Sequence, residues 1–87
     1  MTSFTAKVID PVGLHARPAS VLTKEASKYA SDIKIVCGEK EGNLKSIMNV
    51  MALAVKSGAE ITIQASGEDE KEAITAIEHA MRENSII

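Results

Sequence analysis

The chain has 87 residues, enough for one small domain with a single hydrophobic core and too few for a second. Its ten basic and twelve acidic residues give a net charge of −2, which argues against a nucleic-acid protein that depends on overall positive charge. Aromatic residues are limited to Phe4 and Tyr29, so the core must be aliphatic, and an RNA-binding sheet would lack its exposed aromatics.

The first third of the chain predicts a strand, a turn and a helix. Apolar and polar residues alternate over residues 2–9, which is typical of a half-buried strand, and residues 10–13 (DPVG) have the composition of a turn. From residue 16 to about residue 30, apolar residues recur at spacings of three and four, which predicts a helix. Pro18 is tolerated only in the first turn, so this helix must begin just before it.

The rest of the chain predicts three more strands and two more helices. Residues 33–37 and 40–43 form a hairpin around Gly38, and its second strand is short, polar and at an edge. Ser46 is the expected N-cap of a brief helix over residues 47–53. Residues 61–65 alternate as a fourth strand. Asp69, followed by Glu72, predicts a capping box for the last helix.

The element order is therefore β-α-β-β-α-β-α in one domain spanning residues 1–87. Each strand has one apolar face, and each long helix has one apolar stripe. An α+β open-faced, two-layer sandwich satisfies both patterns, with a four-stranded antiparallel sheet and three helices on one side.

The sequence also bears on the compartment. The lone Cys37 cannot form an intramolecular disulfide, as expected in a reducing cytosol. No segment is long and apolar enough to span a bilayer, and the first residues lack the features of a signal peptide. We expect a cytoplasmic protein that does not insert directly into a membrane.

His15 is the candidate for chemistry because it lies where the first loop becomes the first helix. A helix N-terminus has free N–H groups and a partial positive charge, which suits phosphate. Gly13 permits a close backbone approach, and Arg17 can reach a phosphate oxygen. No carboxylate lies close by in the sequence to act as a base, which leaves open a group distant in sequence that folds beside His15, and no cluster suggests a metal. On residue type alone, a surface or capping histidine remains the open alternative.

Two motifs resemble those of a known family. Residues 13–19 (GLHARPA) resemble the active-site signature of the HPr family, the histidine-containing phosphocarriers of the bacterial phosphoenolpyruvate–sugar phosphotransferase system. Residues 43–48 (NLKSIM), continuing through Val50 and Met51, resemble its second signature. The resemblance is to the Gram-positive type with a regulatory serine, and it extends over the whole chain as a single HPr-like domain.

The resemblance implies specific roles. His15 would take a phosphoryl group on Nδ1 from phospho-enzyme I and pass it to enzyme IIA domains for sugar uptake, while Arg17 neutralises phosphate charge. Ser46 would be phosphorylated by an ATP-dependent HPr kinase/phosphorylase, and the phosphorylated form would bind a catabolite-control transcription regulator. The protein would be a stoichiometric phosphocarrier rather than an enzyme, with no cofactor, metal or nucleic-acid partner.

A docking surface is expected beside His15. The brief helix has too many apolar residues for one buried stripe, so some must face solvent, although a crowded core is the alternative. The expected partner-binding residues are Leu14, Lys24, Lys45, Ile47, Met48 and Met51. The lysines would form a basic rim with Arg17 that attracts acidic partners, with Lys28 as its weakest member. His79 is expected to be solvent-facing and silent.

Three positions depart from the family pattern, and two other functions compete. Val12 replaces a frequent small polar residue, and Asn49 and Ala54 replace frequent glycines, which puts regulator binding in doubt. The main alternative is a regulatory binding module that acts through phospho-Ser46, but such relatives lack the histidine. An autonomous enzyme is poorly supported because no acid–base pair or cofactor loop is visible. The sequence does not identify the sugars served.

Overall fold

The computed structural model describes all 87 residues, and its elements occur in the predicted order. They are β1 (Thr2–Lys7), α1 (Ala16–Ala26), β2 (Asp32–Cys37), β3 (Lys40–Asn43), α2 (Ile47–Ala52), β4 (Glu60–Ser66) and α3 (Glu70–Glu83). The strands form one sheet in the order β1-β4-β2-β3, and every neighbouring pair is antiparallel. The predicted α+β open-faced sandwich is confirmed.

One face of this sheet forms the floor of the core. Ile63 of β4 lies opposite Phe4 on one side and Ile35 on the other, so apolar side chains cross the sheet in rows. The other face is polar, and the hydroxyls of Thr5 and Thr62 are 2.9 Å apart on it. This division follows from the alternation of side chains along a strand, because residues two apart share a face.

The three helices cover the apolar face. Helix α1 buries Pro18, Ala19, Leu22 and Ala26, and α3 buries Ala73, Ile74, Ile77 and Met81. The core has 19 buried apolar residues in one cluster, and none of them is aromatic. Helix α2 has only six residues and buries only Val50, which leaves most of its apolar side chains outside the core. No helix is both long and apolar enough to cross a bilayer.

Strand β1 ends at Lys7, earlier than the predicted end at residue 9. The N–H of Val8 donates to the carbonyl of Ala59 at 2.9 Å, and the N–H of Ile9 donates to the carbonyl of Ile86 at 2.8 Å. Val8 is therefore still held by the segment just before β4, and from Ile9 the chain is held by the segment after α3. Alternation alone does not distinguish these two kinds of partner.

Helix α1 also ends early, at Ala26 instead of about residue 30. The N–H of Lys28 bonds to the carbonyl of Glu25, three residues back, which is the tightened pattern of a helix end. The next free N–H groups, of Ala30 and Ser31, donate instead to the carboxylate of Asp69, at 2.8 Å and 3.0 Å. A distant side chain therefore supplies the partners that a longer helix would have supplied.

The predicted capping box at α3 is wrong because the Asp69 carboxylate is bonded to the segment after α1 instead. Asp69 is the N-cap residue, but its side chain makes no bond to its own helix. Its carboxylate also accepts a 2.5 Å hydrogen bond from the hydroxyl of Ser31, the one buried polar residue of the chain. These bonds hold the pKa of Asp69 below its ordinary value, with the Ser31 hydroxyl as the largest cause and the N–H of Ala30 next. They join the α1–β2 turn to the β4–α3 turn.

We expect Asp69→Asn to destabilise the protein at pH 7. We also expect the free energy of unfolding to fall less steeply as the pH is lowered. The Asp69 pKa is lower in the folded state, so its contribution is complete above the unfolded value of about 3.9 and is lost as the pH falls through the folded value. Urea unfolding between pH 7 and pH 2 measures this difference. Part of the acid dependence should remain, because the Thr2 hydroxyl and then the N-terminal ammonium lower the pKa of Glu70.

The matched control is Asp32→Asn, because the Asp32 carboxylate is exposed and makes no side-chain hydrogen bond or ion pair. Its unfolding free energy should follow that of the unsubstituted protein across the series. Equal losses in the two variants at pH 7 would contradict the role assigned to Asp69.

Candidate functional site

His15 is the N-cap residue of α1, in an extended backbone conformation with φ −85° and ψ −170°. Its carbonyl accepts the N–H of Ala19 at 3.0 Å, while its side chain makes no capping bond and is 37% exposed. The first turn contains no acidic residue, and Pro18 has no N–H. The N–H groups of Ala16 and Arg17 therefore lie at a positive helix end that no side chain of the first turn caps or neutralises.

The loop before His15 is fixed by the segment that follows α2. The N–H of Leu14 donates to the carbonyl of Val55 at 3.0 Å, and the N–H of Gly13 donates to the carbonyl of Asp10 at 2.9 Å. A Cβ on Gly13 would lie 2.3 Å from the Val55 oxygen and 2.9 Å from the Lys56 Cα, and the Gly13 φ is +85°. The sequence suggested that Gly13 lets the backbone approach a ligand, but in the structure it lets two chain segments approach each other.

Asp10 is a candidate site residue that the sequence analysis did not identify. Its Oδ2 lies 3.6 Å from the Nε2 of His15, and its side chain is only 19% exposed. Its Oδ1 accepts the N–H of Val12 at 2.9 Å, as in an Asx turn. The sequence does contain a signal for this contact, which is the aspartate at the start of the DPVG turn. When the side chain of this aspartate accepts a backbone N–H within the turn, the turn also brings the carboxylate back toward residue 15.

Arg17 lies in the first turn of α1, beside the same site. Its side chain is exposed and forms no ion pair or side-chain hydrogen bond, and it lines a small cavity together with Asp10. A guanidinium has five donors in a planar fork that matches the oxygens of a phosphate. The structure therefore leaves Arg17 available to an anion at the helix end.

The sequence suggested that Leu14 belongs to an exposed docking surface, and this prediction is wrong. Its side chain is 4% exposed and is part of the core cluster. The reason is the bond from its N–H to Val55, which turns the loop so that residue 14 points inward. Burial makes Leu14 an anchor that holds the backbone on which His15 stands.

Three apolar side chains of α2 do face solvent, as expected. Ile47 is 39% exposed, Met48 81% and Met51 45%, and together they form what we call the α2 patch. Val55, whose carbonyl holds Leu14, follows shortly after α2, so the patch and the His15 loop share one connection. Val12 adds an apolar side chain, 70% exposed, from that loop.

The basic rim around His15 is smaller than the sequence suggested. The Nζ of Lys45 donates to the carbonyl of Tyr29 at 2.7 Å, beyond the C-terminal end of α1. His15 is at the opposite end of this 11-residue helix, about 16 Å away along its axis. Lys45 is therefore bonded to a loop carbonyl beyond the far end of α1 and does not lie beside His15. Lys24 is exposed and lies two turns after Arg17 on the same side of α1.

Ser46 is the N-cap of α2, as predicted. Its Oγ accepts the backbone N–H of Asn49 at 3.3 Å and the side-chain Nδ2 of Asn49 at 3.1 Å. The Oδ1 of Asn49 accepts the N–H of Asn43 at 3.3 Å, so Asn49 ties the start of α2 to the end of β3. Ala54, by contrast, has φ +52° just beyond α2, in the left-handed region where glycine would be less strained.

His79 provides an internal comparison with His15. It lies on the exposed face of α3, and its Nε2 is 2.8 Å from the Oε1 of Glu83. Its side chain is 72% exposed, so the prediction that it faces solvent is confirmed. His79 lies inside a helix and not at its N-terminus, so no free N–H groups surround it.

Comparisons with known proteins agree with this geometry. A family model described as "PTS HPr component phosphorylation site" matches residues 2–83. The chain is 61% identical over 87 residues to the phosphocarrier protein HPr of Mycoplasma capricolum subsp. capricolum, which covers all of this chain and 98% of the relative. It is 49% identical over 88 residues to the phosphocarrier protein HPr of Mycoplasma genitalium, and both chains are covered in full.

A solved structure is similar over the same extent. It is a histidine-containing phosphocarrier protein of Mycoplasma, which this structure matches with a TM-score of 0.97 at 60% identity. The match covers 99% of this chain and 98% of the solved one. Sequence and backbone similarity therefore extend over every element that builds the site.

We expect Gly13→Ala to cost more stability than Gly58→Ala, although alanine would be under similar backbone strain at both positions. Their φ values are +85° and +88°, so alanine at either position costs about 1–2 kcal/mol. A Cβ at Gly58 meets nothing within 4 Å, whereas a Cβ at Gly13 collides with Val55 and should cost about 1–3 kcal/mol more. Urea unfolding gives both values. Equal losses would mean that the Val55 contact does not constrain the loop.

Proposed function

This chain belongs to the HPr family of the bacterial phosphoenolpyruvate–sugar phosphotransferase system, and we propose from that premise that His15 is the residue that carries the phosphoryl group. Members of the family are phosphocarriers and not enzymes, and membership implies enzyme I as the phosphoryl donor and enzyme IIA domains as acceptors. The observation that carries the assignment of His15 is its place at the N-terminus of α1, whose first turn contains no acidic residue.

The exposure of His15 suits a carrier better than a catalyst. A carrier must present one group to several proteins in turn, and the ring is 37% exposed. The N–H groups of Ala16 and Arg17 would receive phosphate oxygens from the helix side. Each partner would supply the groups that complete the transfer, because His15 has no general acid beside it.

Arg17 is proposed as the side chain that neutralises the charge of the phosphoryl group during transfer. Its guanidinium forms no ion pair in the structure, so no existing ion pair must break before it binds phosphate. It lies two residues after His15 in the first turn of α1. Lys24, farther along the same side, would attract acidic partners through long-range electrostatics.

Ser46 is proposed as a regulatory phosphorylation site for an ATP-dependent HPr kinase/phosphorylase. Its Oγ already caps a helix whose first turn has no acidic residue, so a phosphate of charge about −1.5 to −2 would be tolerated there. The charge would stand directly before Ile47 and Met48 of the α2 patch. Phosphorylation of Ser46 should therefore change the binding of partners to that patch while the fold is preserved.

The α2 patch is the proposed contact surface for these partners, with the exposed Lys24 of α1 as a further basic contact. Lys45 is bound to Tyr29 and would contact only partners that extend toward the far end of α1. A catabolite-control transcription regulator is proposed as a further partner of the phospho-Ser46 form. All of these partners act in the cytoplasm, where the single Cys37 would remain a free thiol.

We expect phosphoenolpyruvate and enzyme I to place an acid-labile, base-stable phosphate on the protein. The label should be lost in His15→Ala and retained in His79→Ala, because only His15 stands at a helix N-terminus. These are the only two histidines of the chain, so each variant is the control for the other. Label that survives in His15→Ala would disprove the assignment.

The Ser46 proposal has its own test. The cognate kinase and ATP should give an acid-stable phosphate that is absent from Ser46→Ala and present in Ser3→Ala, since Ser3 lies on the open face of the sheet. Ser46→Asp should slow labelling of His15 by enzyme I at least several-fold, whereas Ser3→Asp should not. Acid-stable label in Ser46→Ala would move the site elsewhere.

A further inference from the structure

We propose that Asp10 is a positioning residue for phosphoryl transfer, holding the His15 proton on Nε2 so that the Nδ1 lone pair is free for phosphorus. This inference rests on the proposed function of His15. The observation behind it is an asymmetry in the contacts of one carboxylate. Oδ1 of Asp10 is bound to the N–H of Val12 at 2.9 Å, while Oδ2 has no other partner and lies 3.6 Å from Nε2 of His15.

The carboxylate is held in place before any ligand arrives. Its side chain is 19% exposed, its Oδ1 is fixed by the turn, and its own carbonyl accepts the N–H of Gly13 at 2.9 Å. The separation from Nε2 is longer than a hydrogen bond, so in the resting state the contact is electrostatic. Such contacts are often long in unliganded sites and shorten when charge develops.

The chemical step explains why the charge develops at this nitrogen. When the Nδ1 lone pair forms the new N–P bond, the donor's bond to phosphorus breaks and its electron pair remains on the donor. The His15 ring keeps its Nε2 proton and becomes a cation until that proton is released. An anion facing Nε2 stabilises this cation, and it also favours the neutral tautomer in which Nδ1 is the nucleophile.

Asp10 acts from the edge of the ring opposite to the phosphoryl group. The two ring nitrogens point in different directions, so a carboxylate at Nε2 does not occupy the approach to Nδ1. The other charged side chain at this cavity is basic: Arg17 of α1 lines it together with Asp10. No second carboxylate takes part in an ion pair with His15.

The decisive variant is Asp10→Asn. Its amide oxygen can still accept the N–H of Val12, but an NH₂ group replaces the oxygen that faces His15. This group donates to an unprotonated Nε2 and therefore favours the tautomer with the proton on Nδ1. ¹⁵N NMR of the two ring nitrogens at a pH where the ring is neutral should show an increase in that tautomer. Phosphorylation by enzyme I should slow about tenfold.

A second measurement separates electrostatics from structure. In the phosphorylated protein, the pH midpoint at which the ring loses its Nε2 proton should fall by about 0.5–1 unit in Asp10→Asn, because the anion that favours the cation has been removed. Asp10→Ser retains an acceptor for Val12 and should lower the midpoint similarly without reversing the tautomer. Glu83→Gln is the control, since it alters the other histidine–carboxylate pair.

The outcomes distinguish the two proposals. Unchanged tautomer and midpoint in Asp10→Asn would overturn the positioning role, even if phosphorylation slowed, because a loop defect alone could slow it. If the unsubstituted protein takes no label on His15, the proposed function fails and the role of Asp10 fails with it. Normal labelling of the unsubstituted protein together with the two shifts would establish the role.

Discussion

The close approach of Gly13 to Val55 and Lys56 is the constraint on which the site depends. No side chain fits between these two backbone segments, so they meet directly and the N–H of Leu14 bonds to Val55. That bond turns Leu14 into the core and leaves His15 outside it, at the N-terminus of α1. A single backbone crossing therefore joins the aliphatic core, the helix end and the exposed imidazole.

The same crossing links two sites that the sequence keeps far apart. Val55 comes three residues after α2, the helix that Ser46 caps and that presents the α2 patch. A protein docking on this patch therefore meets His15 at a position fixed relative to the surface that it contacts. The strained φ of Ala54, +52°, lies in this connection and shows that the chain accepts a local cost to place it.

Patterns that repeat within a few residues were predictable from the sequence, and contacts between distant residues were not. The fold could be identified from strand alternation. The starts of α1 and α2 could be identified from the position of Pro18 and from the Ser46 cap. Asp69 looked like a cap for its own helix, but it bonds to Ser31, 38 residues away. Lys45 looked like part of a rim, but it satisfies the carbonyl of Tyr29. In each case the polar group takes the partner that the tertiary fold brings closest, and no local periodicity encodes that choice.

The two histidines differ in the features that support the phosphoryl-accepting role proposed for His15. Each has a carboxylate near Nε2, and the pair at His79 is the closer, at 2.8 Å against 3.6 Å. Proximity to a carboxylate is therefore not the distinction. Both partners of the His79 pair are more than 60% exposed, so solvent screens their interaction, whereas Asp10 is largely buried and anchored to the backbone. Only His15 also lies at a helix N-terminus, so the Asp10 carboxylate and a positive helix end both lie beside one imidazole, which suits the gain and loss of a phosphoryl group proposed for it.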